Sequence, residues 1–206
     1  MGFSPPTLEQ LLDIVYRHYP RGVANDDSRR SDTDEERRLV CVQEAAAHAS
    51  QWEFYDVPDA WRMPIAPQVA SVIEALSAWR SLAEEWARKV PEYPLWDESN
   101  PWHDACYQYA VVQAGYSADS DIPPDRVVAA VSILAPVYTL CHSGAASQSA
   151  RVEKITEFIE RYLGFTRIPD AALRTPLPDI VPGSSNLLLG QATLRDCLFS
   201  ALLCQP

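Results

Sequence analysis

Hydrophobic and polar positions in the first ninety residues follow a helical period. In "TLEQLLDIVYRHYP", Leu8, Leu11, Leu12, Val15, Tyr16 and Tyr19 form one apolar stripe. Thr7 and Gln10 have capping-box spacing, and Pro20 and Gly22 stop the run. Thr33 and Glu36 repeat the box before a second helix through "LVCVQEAAAHASQWEF", with Leu39, Val42, Ala46, Ala49 and Trp52 on its apolar side. Between the two lies a polar, mixed-charge connector at about residues 22–32, expected to be mobile. "YDVPDAWRMPIAP" is a loop punctuated by prolines, and Pro67 suits the first turn of a third helix. Val69, Val72, Ile73, Leu76, Trp79, Leu82, Trp86 and Val90 predict that this helix runs unbroken to about residue 90. Trp79 and Trp86, seven residues apart, belong to its core face.

The period then changes. "ACYQYAVVQAG" and "RVVAAVSILAPVYTL" are rich in Val, Ile and Tyr and predict an antiparallel pair of strands. The second is apolar at nearly every position, as in a central strand covered on both faces, with Pro136 at a bulge or strand end. Ser149 is placed to cap a fourth helix, "RVEKITEFIERYLG", with Gly164 just beyond its end. "FTRIPDAALRTPLPDIVPG" predicts extended chain, "NLLLG" a short strand, and Thr193 the cap of a last helix through "LRDCLFSALLC". This order predicts a single α+β domain spanning residues 1–206, with helices packed on a small antiparallel sheet.

Composition narrows the class of partner. The chain has 206 residues, 47% of them hydrophobic, which is enough for a core without disulfides or metals. Its 28 acidic and 17 basic side chains give a net charge of −11. That balance disfavours nucleic acid and anionic lipid, whose phosphates demand Lys and Arg, and favours a basic protein partner. The longest apolar run, Val127 to Cys141, is interrupted by Pro136 and is too short to span a bilayer. The N-terminal "MGFSPPTLEQ" lacks the basic and apolar regions of a secretion signal. Five cysteines, at 41, 106, 141, 197 and 204, show no C-x-x-C spacing, so free thiols and a cytoplasmic location are expected.

No catalytic, phosphate-loop, metal or cofactor motif stands out, and neither cofactor nor metal is expected. "WHDAC" sets His103 near Cys106, and "CHSG" sets Cys141 beside His142. A thiol nucleophile needs spatial contact with its base, which short spacing does not supply. A thiol-dependent enzyme is therefore an alternative to a binding role, and a structural subunit of a homo-oligomer is another.

The stretch "PEYPLWDESNPWHDACYQY" carries the binding hypothesis. From Val90 to Asp125 there are seven acids, two Trp and four Tyr, and neither Lys nor Arg. The proposed partner-binding set is Tyr93, Trp96, Asp97, Glu98, Trp102, Asp104, Tyr116, Asp119 and Asp121. Aromatic rings make strong interface anchors, and a carboxylate rim steers a cationic partner. The competing account is that the rings fold inward and plug the core.

In texture and order, "RVVAAVSILAPVYTLC" and "LGQATLRDCLFSALL" resemble the small acidic immunity-type proteins of bacterial toxin–immunity pairs. Fifteen arginines against two lysines, and frequent alanine, suit a GC-rich bacterial gene. The resemblance covers the C-terminal half and implies a cytoplasmic protein that binds and blocks a cognate toxin. It carries no motif onto particular residues.

Overall fold

The computed structural model describes residues 3–24, 27, 29–50, 57–101, 104–112, 126–142, 149–182 and 187–200. Helix α1 (Leu8–His18) begins at the expected box: Gln10 N–H donates to Thr7 Oγ1 and Thr7 N–H donates to Gln10 Oε1. Its stripe buries Leu11 and Val15 against α2 (Asp34–Ala49). Within the connector, Arg30 is buried; it donates to the Val181 carbonyl at 2.7 Å and pairs with Glu36 at 3.0 Å. The last turn before α2 is thus tied to the C-terminal part of the chain.

The predicted third helix is two helices, α3 (Pro67–Leu76) and α4 (Trp79–Lys89). Ser77 makes the break. Its hydroxyl donates to the Glu74 carbonyl at 2.6 Å, and its N–H is shared between Ile73 and Glu74. Such local bonding competes with the regular ladder. The interruption is only a tightened turn, so the apolar stripe carries across it, and both Trp79 and Trp86 are fully buried.

Among the described residues the sheet has five strands in the order β1 (Leu95–Asp97), β2 (Cys106–Val111), β3 (Val127–Ser132), β4 (Val137–His142) and β5 (Thr166–Arg167). β1 to β4 are antiparallel neighbours; β5 joins β4 in parallel after α5 (Ser149–Leu163). The second predicted strand is therefore a tight hairpin, β3 and β4, turning at residues 133–136. Both strands are buried almost throughout, so the sequence offers no alternation to mark the turn. Pro136 sits just before β4, where its missing N–H costs no ladder bond, and its carbonyl accepts from Thr166 N–H. Gly164 takes φ 69° after α5, as a helix-ending residue does.

One face of the sheet carries Tyr107 and Tyr109 into the helices. The Tyr109 ring stacks on Trp79 at 4.1 Å, and the Tyr107 hydroxyl donates to the Ala46 carbonyl of α2. On the same face the Tyr138 hydroxyl donates to Glu160 of α5 at 2.8 Å. Further on, a four-residue helix α6 (Asp170–Leu173) precedes extended chain, and α7 (Leu194–Leu198) is capped by Thr193 and Asp196. The predicted strand at "NLLLG" is absent from residues 187–190. Leu188 and Gln191 bond each other across a turn with Gly190 at φ 90°, and Leu188 and Leu189 are exposed.

Candidate functional site

The acidic aromatic stretch forms an edge of the sheet. β1 pairs with β2 on one side, and no other described strand pairs with its opposite side. Val112 N–H donates to the Pro94 carbonyl and Glu98 N–H donates to the Gln108 carbonyl. Even-numbered residues thus bond inward, and antiparallel alternation turns the backbone groups of Leu95 and Asp97 outward. A three-residue edge of this kind can accept a partner's strand.

The predicted side chains divide. The Trp96 ring is half-buried against the core; opposite Ala110, it lies on the other face from Tyr107 and Tyr109. Those two tyrosines are core residues. Asp97 is exposed, and its Oδ1 accepts from Ser99 N–H at 3.0 Å. Asp104 is half-buried, with Gln108 Nε2 at 3.5 Å from its Oδ2. Tyr93 is half-buried at the start of the stretch, and its carbonyl accepts from Trp86 Nε1 at 2.5 Å. Trp102, Tyr116, Asp119 and Asp121 lie outside the described residues.

The absence of cations within the stretch does not leave all its acids unpaired. Arg126 binds Glu98, and Lys154 binds Glu92. Lys154 also sits 5.2 Å from the centre of the Tyr93 ring, with Arg151 at 5.8 Å. These partners come from β3's entry and from α5, far along the sequence. Asp97 and the edge backbone remain the open part of the predicted rim.

The thiols follow the expectation at three positions and depart from it at one. Cys106 is fully buried; burial, then the Asp104 carboxylate, pushes its thiol well above the usual range, with the Gln108 hydrogen bond opposing. A thiol held protonated in this way is a poor nucleophile. Cys141 is disulfide-bonded, against the expectation of five free thiols. Cys41, Cys106 and Cys197 are free and buried, and Cys204 lies outside the described residues. The odd cysteine count hid the bond, because it leaves room for a pair without indicating one.

One concave feature went unseen in the sequence. Beside β4 a cavity of about 400 Å³ is lined by Arg167, Arg174 and Arg195. These residues come from β5, the end of α6 and α7, which no sequence spacing connects. Among the described residues, no cluster of His, Cys, Asp and Glu could hold a metal ion, and no helix is long and apolar enough to cross a membrane.

Fold and surface together define an α+β protein with an acidic open sheet edge and a separate arginine-lined cavity. No protein family, curated protein or solved structure matches the chain.

Proposed function

We propose that this is a non-catalytic binding protein that engages a basic protein partner along β1, as an immunity or inhibitor protein occludes a toxin. The observation that carries this reading is the position of Trp96 and Asp97 on an open sheet edge in a chain of net charge −11. A partner strand would bond the outward backbone of Leu95 and Asp97, Trp96 would supply the anchor, and Asp97 would meet a cation. The immunity role brings a cytoplasmic location with it. The disulfide at Cys141 counts against that compartment, because cytosolic thiol pools disfavour such bonds.

The test uses the product of the adjacent gene as the probe. Asp97→Asn is expected to slow association several-fold at low salt, with an unchanged denaturation midpoint. Trp96→Ala is expected to speed dissociation and cost about 2 kcal/mol of binding. Failure of the wild-type pair to associate, or unchanged kinetics in both variants, ends the proposal. Light scattering of the protein alone separates a partner complex from self-association through the same edge.

A further inference from the structure

Among the described residues, most arginines outside this region are paired. Arg17, Arg21, Arg30, Arg62 and Arg126 each meet a carboxylate, and so do both lysines. Three further arginines gather at one cavity. Arg167 and Arg174 are exposed and make no ion pair or side-chain hydrogen bond among the described residues, although acids outnumber bases in the chain. Arg195 joins them on the wall of the 400 Å³ cavity. Its Nε is buried without a hydrogen-bond partner among the described residues, and its nearest carboxylate oxygen, on Asp196, is 3.8 Å away. That long ion pair uses Asp196 Oδ1, while Oδ2 accepts from Thr193 N–H at 2.8 Å and from the Thr193 hydroxyl at 2.7 Å. Asp170 also lines the cavity, one turn before Arg174, yet forms no ion pair with it.

Three guanidinium groups around one concavity repel one another, and a bound anion relieves that repulsion. Guanidinium forks match the oxygen spacing of phosphate and leave no proton to lose at neutral pH. The cavity lies in the volume range, roughly 300–1,000 Å³, that holds small molecules. We infer that the cavity binds a small phosphate-bearing anion between Arg167, Arg174 and Arg195, with exposed His142 on β4 at its rim. The site is independent of the β1 edge: it uses other elements, and it selects the opposite charge.

Calorimetric titration with inorganic pyrophosphate at about 0.15 M ionic strength tests it, because exposed charges alone are strongly screened there. One-to-one saturation is expected. Arg167→Ala and Arg174→Ala, both at exposed side chains, are each expected to weaken binding roughly tenfold or more, the worth of one charge-assisted hydrogen bond. Arg21→Ala, which removes an exposed arginine that binds Asp179, is expected to leave binding unchanged. Unsaturable binding, or equal weakening by all three variants, overturns the site. A tighter fit for citrate than for pyrophosphate overturns the phosphate assignment.

Discussion

His18 is a titrating side chain at the edge of the α1 core face. It is buried, and its Nδ1 lies 2.8 Å from the Ile14 carbonyl. Burial lowers its pKa below the ordinary 6.5, Arg38 and Arg17 add to the effect, and the Ile14 bond opposes it. The unfolded chain therefore takes up this proton first as the pH falls, so stability is greatest above 6.5 and declines below it. Denaturant midpoints measured from pH 7.5 downward are expected to show this decline in the wild type and a flatter course in His18→Gln. The Glu85 carboxylate belongs to a lower window. Hydrogen bonds from Lys89 and then Tyr162 hold it at about 2, so its contribution is lost only as the pH falls from 4.5 toward that value. Trp79 offers a packing test at the same scale. It stacks on Tyr109, and its carbonyl accepts from the Tyr109 hydroxyl at 3.2 Å. Its indole Nε1 has no hydrogen-bond partner among the described residues. Trp79→Ala is expected to cost roughly 3–5 kcal/mol in urea unfolding. Trp79→Phe keeps a ring on Tyr109 and gives up no indole hydrogen bond, so its loss is expected to be much smaller; equal losses would contradict the stacking account.

At the scale of elements, legibility followed the strength of the local signal. α1 was readable because a reciprocal cap and a one-sided stripe coincide in Thr7 to Tyr19. The break at Ser77 was not, because the stripe continues through it and a serine hydroxyl leaves no trace in periodicity. The β3–β4 turn was hidden for a related reason: strands covered on both faces are apolar throughout, and so is the link between them. β1 escaped because three residues carrying Trp96 and Asp97 resemble a loop until β2 pairs with them. The site was partly legible. Composition pointed to an acidic aromatic surface, and Asp97 is exposed on it. Composition could not show that Arg126 and Lys154 reach Glu98 and Glu92 from distant segments. Nor could it separate Tyr107 and Tyr109, which face the helices, from Trp96 on the opposite face. The arginine cavity lay beyond reach altogether, since β5, α6 and α7 meet only in the folded chain.

For the molecule as a whole, strand order bears on how the fold is reached. β1 to β4 lie side by side in chain order, and the four residues 133–136 close the β3–β4 hairpin. Short closures are cheap in entropy, whereas β5 reaches β4 only after the fifteen residues of α5. Pulse-labelled hydrogen exchange during refolding is expected to protect β3 and β4 amides early. The Thr166 and Ile168 amides, which bond Pro136 and Tyr138, are expected to follow; simultaneous protection would refute the sequence of events. During synthesis the same order holds by necessity: every antiparallel strand has been made by His142, before Arg167, Arg174 or Arg195 exists. The arginine cavity is thus assembled only after the antiparallel strands have been synthesised, which makes anion binding a readout of a later stage than sheet formation.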